Sequence, residues 1–180
     1  MHPIDDNHLL AIGTYIPANN PRGNWQARAL QLAIFDVSDL ANPRQTFVQL
    51  VGTAYSWSEA SYDHHAFNYF PEKKLLAIPF YDWSYSSTGY WAWSNFTSDL
   101  RVYGIDAATG ITPKGAVSMN DMYEYMNDYG WTYYWAPMVR RSVMADDFVY
   151  AISDAGIRVA NIADLSVPLA DVRFSKTVEQ

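Results

Sequence analysis

Three short runs of the chain alternate apolar positions in the same way and stop on small or turn-forming residues. They are "HLLAIG" (His8 to Gly13), "KLLAIPF" (Lys74 to Phe80) and "FVYAIS" (Phe148 to Ser153). Each follows an acid-containing turn, "PIDDN", "FPEKK" or "MADD", which is the pattern of a β-hairpin used three times. A second period-2 run follows each of them and ends in an Asp/Asn/Ala-rich turn closing on proline: "LQLAIFDVSDLANP", "LRVYGIDAATGITP" and "IRVANIADLSVP". A fourth apolar segment comes after the proline, "QTFVQLVG", "KGAVSM" or "LADVRF". The unit is four short strands in sequence, a meander, and helical periodicity is weak throughout.

Tandem four-stranded meanders predict an all-β fold, a β-propeller in which each antiparallel unit is one blade. About three blades fit this chain as a single domain over 1–180, or as the C-terminal part of a larger propeller, with units of roughly 1–62, 63–139 and 140–180. A β-sandwich is the competing architecture. It gives no reason for the same turn chemistry to recur at each repeat.

The stretches "HPIDDNHLLAIG", "LQLAIFDVSDLANP", "SYDHHAFNYFPEKKLLAIPF" and "DAGIRVANIADLSVP" resemble a secreted bacterial β-propeller family distantly related to WD40 repeats, marked by a "DHxAF…FPEKxLLAIP" strand pair. "FDVSDLANP" is also similar to LVIVD-type surface repeats. The resemblance defines a fold and no chemistry. It implies an exported or cell-surface protein, and a chain longer than this one. Propellers close with about four to eight blades, so three blades lead us to expect either further blades upstream or self-association.

Long inserts interrupt the repeat. Between its second and third strands the last unit needs only "DAG", Asp154 to Gly156, whereas the first has "TYIPANNPRGNWQARA" and the middle one "YDWSYSSTGYWAWSNFTS", residues 81–98. A third insert, 119–136, joins the middle unit to the last. Residues 81–98 and 119–136 hold 14 of the 29 aromatic residues, so these two loops are where a ring-lined surface is to be sought. Trp83, Tyr90, Trp91, Trp93, Trp131, Tyr133, Tyr134 and Trp135 are the candidate contact residues. Insertions in repeat proteins map to loops, often on the binding face. Rings in such loops either pack on one another with their polar ends on loop backbone, or they anchor a partner.

Charge narrows the partner. Twelve Lys and Arg against 19 Asp and Glu give a net charge of −7, and the only charges in the two inserts are Asp82, Asp121, Glu124 and Asp128, all negative. A single-stranded nucleic-acid site pairs stacking rings with a basic groove, so nucleic acid is excluded. What remains is a protein partner or a second copy of the chain, with a neutral sugar stacked on the rings as the alternative and a cationic ligand as a third. No cofactor motif occurs. The chain lacks cysteine, which removes disulfides and thiolate metal sites. No run approaches the roughly 18 apolar residues of a membrane span, and "MHPIDDNHLL" is not built like a signal peptide.

Two smaller constellations could carry chemistry. "DHHAF", Asp63 to Phe67, reads as the start of a strand, where alternation sends His64 and His65 to opposite faces and leaves too few ligands for a metal. Hydrogen bonding across a blade edge suits it better. The pairs Asp5–Asp6 and Asp146–Asp147 stand at equivalent hairpins, as turn-building residues do. No "GxSxG", "HExxH", P-loop or "GxGxxG" is present. A glycan-active enzyme would need converging carboxylates, for which Asp63, Asp82 and Asp128 are the candidates. The expectation is a non-catalytic interaction module.

Overall fold

The computed structural model describes residues 1–16, 29–53, 55–83, 96–122 and 138–174. Among these residues twelve strands form in three four-stranded antiparallel sheets, each a meander in sequence order. The first blade holds β1 (His2–Asp5), β2 (His8–Tyr15), β3 (Ala29–Asp36) and β4 (Arg44–Val51). The second holds β5 (Asn68–Phe70), β6 (Leu75–Trp83), β7 (Phe96–Asp106) and β8 (Gly110–Ser118). The third holds β9 (Val139–Ala145), β10 (Phe148–Ser153), β11 (Gly156–Asn161) and β12 (Asp164–Arg173). These are the repeated units that the hydrophobic pattern predicts.

Period-2 alternation assigns each side chain to one of two blade junctions. From β6 and β7, Leu76, Ile78, Phe80, Tyr103 and Ile105 pack on the first blade's Leu10, Leu30, Leu32 and Ile34. The intervening Leu75, Ala77, Leu100 and Val102 pack the other way, on Val149, Ala151, Ala160 and Leu165 of the third blade. The middle blade is therefore apolar on both faces, which is why "KLLAIPF" is almost unbroken hydrophobic sequence.

The turns between strands are built on aspartate. Asp5 accepts the Asn7 N–H (2.8 Å), Asp36 the Ser38 N–H (2.9 Å) and Asp106 the Ala108 N–H (2.9 Å). Asp146 adopts a left-handed conformation (φ 51°), and Asp147 reaches across to Lys73 of the middle blade (2.5 Å). These local bonds explain the recurrence of acids at the same hairpins.

Two prolines sit differently from the sequence pattern. Pro113 and Pro168 do not end the third turn: they lie inside β8 and β12, which begin upstream at Gly110 and Asp164. Each stands at a register shift, where Val102 pairs with Gly115 but Tyr103 with Pro113, and Val159 with Ala170 but Ala160 with Pro168. An outermost strand with a bulge is where a sheet tolerates a residue lacking an N–H. The first blade bulges at the equivalent place, between Ile34 and Phe35, without a proline there.

One glycine carries a sharp requirement. Gly52, which closes β4, has φ 72°, and a Cβ on it would lie 2.0 Å from Ser56 Oγ and 2.5 Å from Phe80 Cζ. Gly52→Ala is expected to lose about 1–2 kcal/mol from the left-handed backbone alone, with the crowding against Phe80 adding to it. Urea unfolding measures it; a midpoint equal to wild type refutes the assignment.

Candidate functional site

Strand parity decides which loops meet. Successive strands of a meander run in opposite directions, so the connections after the second and fourth strand of every blade leave from the same end. Residues 52, 53 and 55–67, residues 119–122 with Met138, the Asp154 turn and the strand ends flanking 17–28 and 84–95 therefore share one face. The six hairpins within the blades, five of them built on Asp or Asn and the β5–β6 one on Pro71 to Lys74, share the other.

The insert face has an aromatic floor. Tyr81, Phe96 and Met138 are buried together, with Trp57 packed against them. The Trp57 and Tyr81 rings lie 5.0 Å apart, and Phe96 stacks on Tyr81 at 6.4 Å and 14°. Trp57 and Tyr81 also exchange both backbone hydrogen bonds at 3.0 Å, tying the first interblade connection to β6. The Tyr81 hydroxyl donates to the Val139 carbonyl. Burial pushes this phenol far above its ordinary pKa, so it is a permanent donor.

This floor joins the roots of both aromatic inserts. Phe96 follows 84–95 directly, and Met138 follows 123–137 directly. Ser98 accepts the Met119 N–H on its carbonyl (2.9 Å) and donates its own N–H to Asn120 Oδ1 (2.8 Å). The insert over 81–98 is also shorter than its composition suggests. Tyr81, Asp82 and Trp83 pair with Ser98, Thr97 and Phe96, so the hairpin continues three pairs into it. Trp83 is thus the last residue of β6. Tyr90, Trp91, Trp93, Trp131, Tyr133, Tyr134 and Trp135 lie outside the described residues.

Beside the floor runs an ion-pair network spanning blades one to three. Glu59 and Asp63, from the connection between the first two blades, meet Arg140 and Arg141 at the start of β9. Arg140 bridges Glu59 (2.9 Å) and Asp154 (3.1 Å), and Arg141 reaches Asp63 (2.5 Å). Burial works against the Arg140 charge, and Asp154 and Glu59 together outweigh it, raising its pKa. The Asp63 carboxyl is held below its ordinary pKa by the His65 N–H and, beyond it, by the His65 side chain and Arg141. Next to this network Asn68 of β5 donates to Ser142 of β9 (3.2 Å), and His2 of β1 packs edge-on against Tyr69 of β5 (5.3 Å). First strands of neighbouring blades thus meet, as they do around a propeller axis.

"DHHAF" departs from its reading as strand. It is a single 3-10 turn, His64–Ala66, capped by Asp63 Oδ1 on the His65 N–H (2.9 Å), and the strand begins only at Asn68. A turn lacks alternation, so the His64 and His65 rings lie side by side, centroids 3.8 Å apart. Ligand atoms of Asp63, His64 and His65 fall within 4.8 Å of one another. Asp63 is already spent on its cap and on Arg141, which is the cross-blade bond its sequence position suggested.

Two insert acids are likewise committed. Asp82 holds the Thr53 hydroxyl (2.6 Å) and N–H (3.1 Å), and Asp121 pairs with Arg158 (2.7 Å). A cationic ligand therefore finds half of its four acids engaged, and of the three glycosidase candidates Asp63 and Asp82 are engaged while Asp128 is outside the described residues. Trp57, Glu59, Arg140, Arg141 and Asp154 are the site residues that sequence reasoning missed. "SWSEASYDHH", with a Trp, a Tyr and two acids in ten residues of a connection, was the available signal.

No helix among the described residues is long and apolar enough to cross a membrane. No curated protein and no solved structure matches the chain. A family profile described as a beta propeller domain matches residues 1–165, and with its three stacked four-stranded meanders the chain belongs to that family.

Proposed function

We propose that this propeller is a non-catalytic binding module, displayed outside a bacterial cell, which takes a protein partner on its insert face. The observation that carries the reading is the common root of the two aromatic inserts on the Tyr81, Phe96, Met138 and Trp57 floor. The described ends of both inserts are fixed on packed strands, and fixing the ends of a loop lowers the entropy cost of holding it against a partner. Trp and Tyr are the residues that anchor protein partners. With Asp121 paired to Arg158 and Asp82 holding Thr53, two of the four insert acids are engaged within the chain, which favours an uncharged or aromatic patch on the partner over a cationic one. The likeness to exported propellers distantly related to WD40 repeats, and to LVIVD-type surface repeats, supports placement at the cell surface.

The third blade supplies the test, because it joins its second and third strands with Asp154 to Gly156 alone. Replacing 84–95 by Asp-Ala-Gly is expected to leave the far-ultraviolet circular dichroism of the sheets in place and to abolish capture of an envelope protein that the full chain retains. Oligosaccharide titration followed by Trp fluorescence runs alongside. Quenching by a neutral oligosaccharide, lost in the trimmed chain, would replace the protein partner with a glycan. Equal capture by both chains would overturn the reading.

A further inference from the structure

A turn, unlike a strand, brings neighbouring side chains to one place, and the connection between the first two blades contains such a turn at Asp63–His64–His65. Alternation along a strand would send the two imidazoles to opposite faces and leave a metal too few ligands. The 3-10 geometry of His64–Ala66 sets them side by side instead, ring centroids 3.8 Å apart. One ligand atom from each of Asp63, His64 and His65 lies within 4.8 Å of the other two. Both histidines are exposed, so a small rotation of either ring meets little resistance. Asp63 keeps acceptor capacity beyond its cap and its ion pair. A carboxylate offers about four acceptor positions, of which Arg141 takes one on Oδ2 and the His65 N–H one on Oδ1 (2.9 Å). The same Oδ1 stands 3.2 Å from His65 Nδ1.

We propose that Asp63, His64 and His65 bind a zinc ion, each through one atom, with water in the fourth position. Zinc bonds to nitrogen and oxygen of about 2.0–2.1 Å, set at the tetrahedral angle, place neighbouring ligand atoms about 3.3 Å apart. The 3.2 Å between Asp63 Oδ1 and His65 Nδ1 matches that edge. Zinc replaces the proton between these two atoms, which moves to His65 Nε2 and leaves the imidazole neutral. Two imidazoles with a single carboxylate suit zinc, whereas magnesium and calcium call for more oxygens. Arg141 on Oδ2 orients the carboxylate, as hydrogen bonds do for ligating carboxylates in metal sites. Three protein ligands and one exchangeable position are a recurring zinc arrangement. The site goes beyond the insert-face reading and stands without it.

Calorimetric titration of the intact chain with zinc chloride, in a buffer that does not bind zinc, is expected to show one ion per chain. Zinc should also raise the melting temperature, since an ion held by the folded turn stabilises by mass action. His64→Ala and His65→Ala change exposed side chains outside the packed cores, so both fold, as circular dichroism verifies. Each is expected to weaken binding by at least roughly 100-fold, more than the loss of a residue that only supports a ligand. His8→Ala removes the imidazole bound to Asp5 on the hairpin face and should leave the affinity unchanged. Cobalt(II) in place of zinc should give the intense visible bands of a four-coordinate ion in wild type and in neither His64→Ala nor His65→Ala. Zinc that produces neither heat nor a rise in melting temperature overturns the proposal. So does equal affinity in wild type and His64→Ala, which would place the ion elsewhere, or the pale spectrum of six-coordinate cobalt, which would mean that the three side chains do not converge.

Discussion

Arg158→Met is expected to lower the unfolding free energy by about 3 kcal/mol, a fall in melting temperature on the order of 10 °C. Arg158 is buried on β11, and all five of its N–H groups are used. Nε and Nη2 donate to the two oxygens of Asp171 on β12 (2.7 and 2.8 Å). Nη1 and Nη2 donate to the two oxygens of Asp121 (2.7 Å each), and Nη1 also reaches the Ser118 carbonyl (2.6 Å). Two bidentate pairs on one planar guanidinium satisfy a geometry that lysine cannot reproduce. Removing the cation leaves two carboxylates facing each other, which is why the loss exceeds that of a surface pair. It falls at the lower end of the range for broken buried pairs because the Asp121 side chain is 51 % exposed and water screens part of it.

Acid provides the internal control. The hydrogen bonds from Arg158 hold both the Asp121 and the Asp171 carboxyl below their ordinary pKa. A depressed carboxyl contributes its stability in full above the unfolded value, about 3.9, and loses it as pH falls through the folded value. The difference between wild type and Arg158→Met should therefore be constant from pH 5 to 7 and shrink below about pH 4. Arg158→Lys should recover part of the loss at neutral pH. A variant with wild-type stability at pH 7, or a difference that grows in acid, would remove the clamp from the account.

The clamp also shows what one sequence can and cannot reveal. Blade count and strand order are legible because Leu-x-Leu and Leu-x-Val recur with an Asp turn at a constant distance behind them, and alternation translates directly into a packed face. Arg158 hides inside such a run: "IRVAN" places an arginine where the other blades carry Gln31 and Arg101, and only its neighbours Asp121 and Asp171 make it a buried anchor. Glu59, Arg140 and Arg141, which join Asp63 in its network, are illegible for a different reason. They are brought together by the stacking of blades across some 80 residues of chain, and no local period marks them. The slips are local too. Asp63 followed by two histidines fits a capped turn as well as a strand start, and a proline after a turn fits both a turn end and a bulge in an outer strand.

Tyr81→Ala is expected to cost about 3–5 kcal/mol, the range for emptying a large aromatic site in a core, whereas Tyr81→Phe should cost about 1–2 kcal/mol for the hydroxyl that the Val139 carbonyl loses. The ring is wholly buried between Trp57 and Phe96, and its backbone carries the bridge to Trp57. The two substitutions separate support from contact. In the phenylalanine variant the stacked floor persists, so both insert roots keep their seats and partner capture should match wild type despite the lower melting temperature. In the alanine variant Trp57, Phe96 and Met138 lose their common neighbour, the near-ultraviolet circular dichroism of the tryptophans should fall, and capture should fail even well below the melting temperature. Tyr81 touches no partner in this account: it positions the loops that do. Capture retained by the alanine variant would show that the inserts hold their binding shape without the floor, and loss of capture in the phenylalanine variant at unchanged near-ultraviolet signal would make the Tyr81 hydroxyl part of the contact itself.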